Sequence, residues 1–318
     1  MQYINTMKEG MKLKDVYLVK KLVHAQTKTG KEYWNITLQD KTGCVDAKVW
    51  DPDSPGIDEF EAKDFIWVTG EVTVFNNANQ VNIRQARKAD EGSFDPADYV
   101  PCSEKNIEEM YTELKGLIDS VKAPYMKKLL DHFFADDDFK KRFCYHSAAR
   151  NVHHGFVGGL LEHTLSVAKV CDFFSKNYPF LDRDLLLTAA ICHDIGKLEE
   201  LSPYPDNDYT DEGQLIGHIV IGAQMISEAI KGIDDFPQVK ANELVHCILA
   251  HHGELEFGSP KKPALAEAIA LSFADNTDAK LETMKEALGA NAMKGVEWQG
   301  FNKYLDSNIR RTSPSTDE

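Results

Sequence analysis

The stretch LLLTAAICHDIGKLEE, residues 185–200, is an apolar helical segment that ends in a histidine and an aspartate. On a helix of 3.6 residues per turn, His193 falls on the same face as Leu186 and Ala190. A histidine that faces a hydrophobic core is costly unless another group satisfies its ring nitrogens. Because Asp194 follows at once, we interpret this segment as part of a buried site and not as plain core.

The same placement of histidine recurs in three further helical segments. His163, His218 and the pair His251-His252 each lie on, or end, an apolar helical stripe. A single histidine of this kind is better explained by a hydrogen bond to backbone within the core. Five of them on four helices favour one shared metal site. The predicted helices are 104–120, 124–134, 136–145, 159–176, 182–194, 215–231, 236–252 and 263–288, with Gly196 and Gly253 standing where C-terminal caps belong.

Carboxylates accompany these histidines. Besides Asp194, Asp275 lies in the mostly apolar helical stretch ALAEAIALSFADNTDAK, and Asp278 lies one turn further on. Periodicity does not choose between the last two. Imidazole together with carboxylate suits a divalent ion, with manganese as the first expectation and iron, cobalt or nickel as alternatives. The six cysteines are scattered singly and lack zinc-ligand spacing, so we do not expect a structural zinc site.

Residues 13–89 have the period of β-strands. The predicted strands are Val16–Val23, Tyr33–Gln39, Cys44–Trp50, Phe65–Phe75 and Gln80–Ala89. Five strands separated by turn residues in so short a span predict a small barrel. The order of strand lengths and the hairpin LQDKTGCVDAKVW resemble an OB-fold. Val45, Ala47 and Val49 would then face the barrel interior.

The predicted barrel carries candidate nucleic-acid contacts. OB-folds bind oligonucleotides over strands 2 and 3, where exposed aromatic rings stack bases and basic side chains follow the phosphates. The candidates are Tyr33, Lys48, Trp50, Phe75 and Arg84. Small barrels also bind proteins or dimerise, and aromatic residues also fill barrel interiors, so these alternatives stay open.

Composition divides the 318-residue chain into two domains. We expect a small all-β OB-like barrel over 1–90, a proline-containing linker over 91–103, an all-α domain over 104–305 and a polar tail over 306–318. The whole net charge of −15 lies after residue 90, because residues 1–90 hold as many basic as acidic side chains. Such acidity argues against nucleic acid as a partner unless bound cations reverse the local sign.

The overall composition is that of a globular protein, with 42% hydrophobic and 27% charged residues. No apolar run approaches the ~20 residues of a membrane helix. The N-terminus lacks the apolar region of a signal peptide, and the cysteines form no disulfide framework. We therefore expect a cytoplasmic protein with no membrane partner. The apolar surface of helices 104–145 is suited to a homo-oligomer.

The motifs GGLLEHTLSVA, AAICHDIGKLEE, GHIVIGA, ILAHHGELEFGSP and LSFADNTDAK, in this order, resemble the HD-domain superfamily of metal-dependent phosphohydrolases. With an OB-like barrel ahead of them, the chain is most similar to the YhaM family of bacterial 3′–5′ exoribonucleases. The resemblance implies two ions, bridged by Asp194: one held by His163, His193, Asp194 and Asp275, the other by His218, His251 and His252. The chain departs from HD-GYP cyclic-dinucleotide phosphodiesterases, because Gly258-Ser259-Pro260 stands where they have Gly-Tyr-Pro.

Phosphodiester hydrolysis needs an activated water and neutralisation of the phosphate charge, and two divalent ions supply both. Asp194, as the shared ligand, and Lys197, as a cation beside the phosphate, are the expected catalytic residues. A solvated helix-capping role is the alternative for Lys197. Arg150, His153 and His154, ahead of the first ligand helix, are expected to contact substrate phosphates, with ordinary surface histidines as the alternative.

The resemblance implies a 3′–5′ exoribonuclease that acts on single-stranded RNA, with single-stranded DNA as a further substrate, and releases nucleoside 5′-monophosphates. The main alternative is a nucleotide or cyclic-dinucleotide phosphohydrolase whose barrel serves in assembly. A non-catalytic binding protein that retains its metal site is the third.

Overall fold

The structure is a computed structural model that describes residues 1–27, 29–76, 78–90, 92–95, 98–150, 154–289 and 296–313. The chain divides into two units, Met1–Cys102 with Tyr204–Asp206, and Ser103–Pro203 with Asn207–Glu318. Within the described ranges, no helix is both long and apolar enough to cross a membrane.

The first unit is a closed five-stranded barrel. Its strands are β1 (Lys12–Gln26), β2 (Glu32–Asp40), β3 (Gly43–Val49), β4 (Phe65–Phe75) and β5 (Ala78–Lys88), and they close in the order β1-β2-β3-β5-β4. The contact between β3 and β5 is parallel and the others are antiparallel. The predicted OB-like barrel is therefore confirmed, with a first strand that begins earlier than expected.

Alternate apolar side chains along the strands fill the barrel interior. Val45, Ala47 and Val49 of β3 are buried, as predicted. On β2 they lie opposite Leu38, Ile36 and Trp34, respectively. The residues between them point outward, because successive side chains of a strand face opposite sides.

Within the segment predicted as a linker, 91–103, the described residues Phe94, Asp98 and Tyr99 pack on the barrel. The ring of Phe94 stacks on Phe65 with centroids 4.3 Å apart, and Tyr99 meets Phe65 edge-on at 5.1 Å. Asp98 accepts a hydrogen bond from the hydroxyl of Tyr3. Three aromatic rings that bury one another explain why the barrel unit extends to Cys102 and does not end near residue 90.

The second unit is built from ten helices in its described ranges. They are α1 (Ile107–Asp119), α2 (Pro124–Phe134), α3 (Asp137–Tyr145), α4 (Gly159–Asn177), α5 (Arg183–Cys192), α6 (Lys197–Glu200), α7 (Asp211–Leu215), α8 (His218–Lys231), α9 (Gln238–Leu249) and α10 (Ala266–Leu288). Helix α5 is central and packs on α4, α9 and α10. Its residues Leu185–Cys192 are all buried, as expected for a helix that is apolar on every side.

A β-hairpin lies C-terminal to α10 and spans residue 306, the predicted start of the polar tail. Its strands are β6 (Trp298–Asn302) and β7 (Ser307–Arg310). The side chain of Asn302 accepts hydrogen bonds from the backbone N–H groups of Tyr304 and Leu305 and so closes the turn. These strands lack apolar alternation, so sequence periodicity does not reveal them.

Candidate metal centre

Four side chains converge where α5 ends. His163 Nε2 of α4 lies 3.1 Å from His193 Nε2, 3.3 Å from Asp275 Oδ1 of α10 and 3.4 Å from Asp194 Oδ2. Nitrogen and oxygen atoms that each lie about 2.0–2.2 Å from one ion are spaced by about 3.0–3.6 Å. The four atoms therefore have the separations of ligands to a single metal ion.

A second group adjoins the first through the same aspartate. Oδ1 of Asp194 lies 3.6 Å from His218 Nε2 and 3.7 Å from His251 Nε2. The ligand atoms of His218, His251 and His252 lie within 4.8 Å of one another. Asp194 Oδ1, His218 Nε2 and His251 Nε2 are buried and have no hydrogen-bond partner. Because unpartnered buried polar atoms are costly, the donor set fits a divalent ion that would bind to all three.

The ring orientation of the histidines follows from their other nitrogen. The Nδ1 atoms of His193, His251 and His252 lie 2.6–2.8 Å from the backbone carbonyls of Ala190, Ile248 and Phe257, respectively. A carbonyl only accepts hydrogen bonds, so each Nδ1 carries the proton and donates it. This arrangement leaves the lone pair of Nε2 directed into the site, as in protein metal centres generally.

Asp275 and Asp278 meet opposite nitrogens of His163. Asp278 Oδ2 lies 2.7 Å from Nδ1 and also contacts His154 Nε2 at 2.9 Å, while Ser166 donates to its other oxygen. Asp275 lies on the Nε2 side with the other ligand atoms. The geometry therefore favours Asp275 as a ligand and Asp278 as the carboxylate that orients the ring of His163.

Opposite charges stabilise one another inside this buried cluster. Burial alone would raise the pKa of Asp194, but Lys197 and His193 hold that pKa well below its usual range. Burial alone would lower the pKa of His163, but its bonds to Asp275 and Asp278 raise it to about 10. Since a ligating nitrogen must be deprotonated, metal binding here should release a proton.

Lys197 is directed into the site. Its Nζ atom lies 2.7 Å from Asp194 Oδ2, and the side chain is largely buried. The alternative of a solvated lysine at a helix end is therefore wrong.

The role expected of Gly196 as a C-terminal cap is also wrong. Its φ of −63° is right-handed, and it precedes the short helix α6. A Cβ atom at this position would lie 2.1 Å from the carbonyl oxygen of His218, so glycine is required by the close approach of α8.

A cleft of about 490 Å³ opens beside the ligand atoms. His163, Lys197, His252 and Asp275 form part of its lining. Such a volume is typical of a site for one small molecule or one unit of a polymer.

The candidates ahead of α4 separate into three cases. His154 is 2% exposed, lies 2.9 Å from Asp278 and lines the cleft, so it is buried and not a surface histidine. Arg150 is exposed and pairs with Asp208 at 3.1 Å. His153 lies outside the described residues.

Three of the barrel candidates lie together on the outside of the barrel: Tyr33, Lys48 and Trp50. The rings of Tyr33 and Trp50 stack with centroids 5.2 Å apart, and Lys48 Nζ lies 5.1 Å from the centre of the Tyr33 ring. Arg84 pairs with Glu71 at 3.0 Å.

Phe75 lies apart from this group. It pairs in register with Ala78, whereas Lys48 pairs with Asn82, four residues further along β5. Four residues of strand separate the two positions by about 13 Å.

One residue of the site escapes sequence reasoning. Glu200 is buried, and its Oε1 accepts hydrogen bonds from both the backbone N–H and the Nδ1–H of His218, at 2.9 and 2.8 Å. The sequence shows two adjacent glutamates after Lys197, and nothing in the pattern marks the second.

Replacing Glu200 with Gln should weaken binding of the ion at His218, His251 and His252 by about 10–100-fold, because the imidazole loses its anionic partner. Competition with a chelator would measure the two affinities separately. Glu199→Gln is the matched control, since Glu199 is partly exposed and pairs with Arg142 away from the histidines. Equal weakening of both ions, or the same effect in the control, would contradict this role.

Comparison with protein families finds a match within the helical unit. Residues 160–280 match the family model of the HD domain. The helical region therefore contains an HD domain, which indicates a metal-dependent hydrolase of phosphoesters.

Solved structures similar to part of the chain include nucleic-acid-binding proteins. The second OB-fold domain of replication protein A from Methanococcus maripaludis is 16% identical over 29% of this chain and 96% of that domain, with a TM-score of 0.23. A replication protein A heterotrimer bound to single-stranded DNA is 18% identical over 28% of this chain and 64% of that one, with a TM-score of 0.22. A murine DNA-binding protein bound to double-stranded DNA is 20% identical over 29% of this chain and 50% of the murine chain, with a TM-score of 0.23.

Proposed function

We propose that this protein is a metal-dependent 3′–5′ exonuclease that degrades single-stranded RNA, with single-stranded DNA as a further substrate. The observation that carries the proposal is the pair of ligand groups that share Asp194 beside an open cleft. Two adjoining divalent sites are the usual apparatus for hydrolysing a phosphodiester. We propose manganese as the ion, on the mixed imidazole and carboxylate donor set.

When bound, the ions would supply an activated water and neutralise charge on the phosphate. The residues of the chain hold and orient that chemistry. His163, His193, Asp194 and Asp275 would hold one ion, and His218, His251 and His252, with the other oxygen of Asp194, would hold the second. Lys197 keeps a positive charge at the cleft wall, where it would stabilise the charge that develops on a phosphate oxygen. The buried carboxylates Asp278 and Glu200 keep two of the histidine rings in place.

The outward face of the barrel supports a polymeric substrate. Tyr33 and Trp50 stack on one another beside Lys48, and Trp50 donates a hydrogen bond to Asn82. The ring of Trp50 is still 47% exposed. Exposed rings beside a lysine ammonium are the elements from which OB-folds build a single-strand surface.

Removing this ring tests the barrel's role. Trp50→Ala should weaken binding of a single-stranded oligonucleotide by about 5–150-fold, because stacking of one base is worth about 1–3 kcal/mol. Fluorescence anisotropy with a labelled oligonucleotide would measure the Kd. Trp67→Ala is the matched control, since Trp67 lies on β4 with Arg87 over its ring at 5.3 Å. An equal loss in both variants would argue against this face as the binding surface.

The volume of the cleft favours one second candidate. A site of about 490 Å³ also suits a free nucleotide, so a nucleotide or cyclic-dinucleotide phosphohydrolase with the barrel used for assembly is the alternative.

The decisive experiment incubates metal-stripped protein with 5′-labelled single-stranded RNA and either Mn²⁺ or chelator. The exonuclease should produce a ladder that shortens from the 3′ end only with Mn²⁺. Intact RNA with both ions bound, together with hydrolysis of mononucleotides or cyclic dinucleotides, would overturn the proposal in favour of the alternative.

A further inference from the structure

One face of α10 extends the cleft away from the ligand atoms. Asp275, Asn276, Ala279, Lys280 and Thr283 line it in succession. Thr283 lies eight residues after Asp275, which is a rise of about 12 Å along the helix. The cleft therefore continues for about two turns beyond the metal centre, and its far part has no role in holding an ion.

Lys280 brings an unneutralised charge to this part of the cleft. It is exposed and, among the described residues, makes no ion pair. Its helical neighbours three and four residues away are Asn276, Thr277, Thr283 and Met284, none of them acidic. In so acidic a chain, a lysine without a carboxylate partner beside a phosphoesterase centre is suited to a backbone phosphate.

Two exposed aromatic rings line the same cleft. Phe257 is 63% exposed and Tyr304, in the turn of the C-terminal hairpin, is 52% exposed. The carbonyl of Phe257 accepts the hydrogen bond that orients His252, so the loop that positions a ligand also presents a ring. Aromatic faces at the wall of a polar cleft are what an unpaired base stacks on.

We infer that this extension is the subsite for an unpaired 3′-terminal segment, in which Phe257 and Tyr304 stack bases and Lys280 contacts a backbone phosphate next to the scissile one. The inference rests on the proposed exonuclease function and adds to it the residues that would hold the unpaired end of the substrate. A paired end is excluded for two reasons: a duplex is too bulky for a cleft of about 490 Å³, and a base held in a pair cannot stack on a ring of the cleft wall.

The test measures KM and kcat in Mn²⁺ on two RNA substrates. One has a normal 3′-terminal nucleotide, and the other has an abasic one. The wild-type protein should show a KM about 5–150-fold higher on the abasic end. Phe257→Leu and Tyr304→Leu should each raise KM on the normal end and reduce this discrimination, while Tyr304→Phe, which keeps the ring, should retain it. Phe273→Leu is the control, because Phe273 is equally exposed on α10 but does not line the cleft.

The salt dependence of RNA affinity tests whether Lys280 contacts a phosphate. Lys280→Gln should reduce the slope of log affinity against log salt by about one, the effect of one lost phosphate contact. Lys285→Gln should leave the slope unchanged, because Lys285 already pairs with Glu282 on the same helix.

The outcomes separate the two proposals. If wild-type protein shortens RNA from the 3′ end but the cleft variants behave like their controls, the subsite is wrong and the exonuclease stands. If wild-type protein with both ions bound leaves RNA intact, the exonuclease is wrong and the subsite falls with it. Measuring the ions bound by each variant identifies any loss that comes from a disturbed His252.

Discussion

Asp194→Asn should remove both ions and lower the rate of RNA hydrolysis by at least about 10³-fold. One carboxylate oxygen lies with His163 and His193, and the other faces His218 and His251. Asparagine offers one neutral oxygen and an NH₂ group that is no metal ligand. Metal content after dialysis, measured by mass spectrometry, and single-turnover cleavage of labelled RNA would check the two effects.

The same substitution leaves Lys197 without its counter-ion. Removing one partner of a buried ion pair costs about 3–5 kcal/mol, so thermal unfolding should be recorded as well. The double variant Asp194→Asn with Lys197→Met also removes the unpaired ammonium group. It should therefore fold, but it should still bind neither ion. Asp172→Asn is the control, because this carboxylate on α4 is buried but pairs with Lys176 and Arg183. Two ions retained in Asp194→Asn would contradict the shared-ligand role.

Gly196→Ala should abolish binding of the second ion although residue 196 is not a ligand. The added Cβ would lie 2.1 Å from the carbonyl oxygen of His218 and 2.6 Å from the backbone nitrogen of Gly222, so α8 must move. Because His218 is the first residue of α8, that movement withdraws its imidazole from Asp194. Overpacking of this kind also costs about 1–3 kcal/mol of stability.

Gly222→Ala is the matched control on the other side of the same contact. A Cβ there would approach no closer than 3.4 Å, an ordinary van der Waals distance. We expect Gly196→Ala to bind one ion and Gly222→Ala to bind two, as counted by mass spectrometry of the native protein. If Gly196→Ala bound two ions with unchanged affinity, the close approach of α8 to residue 196 would not be what positions His218 for the second ion.

Local periodicity explains why much of the fold could be predicted. Alternation in β3 assigned Val45, Ala47 and Val49 to the interior, where they are buried. Helical spacing assigned His163 and His193 to apolar faces, and both are buried. A hydrophobic period is recognisable only over several residues with regular apolar positions. The short strands β6 and β7, and the turn that contains Tyr304, lack such a pattern and were not predicted.

The amino-acid sequence by itself determined the two-part architecture, the residue types of the candidate metal centre and the helices that carry them. Only the tertiary structure decided that Asp275 and not Asp278 faces Nε2 of His163, that Glu200 holds His218 and that Gly196 is needed for contact with α8. The physical reason is the range of each interaction. Periodicity assigns a residue to a face of its own element, whereas Asp278 meets His163 across 115 residues and Glu200 meets His218 across 18. Contacts at such separations are set by how the helices pack, to within a fraction of an ångström, and no local pattern records that packing.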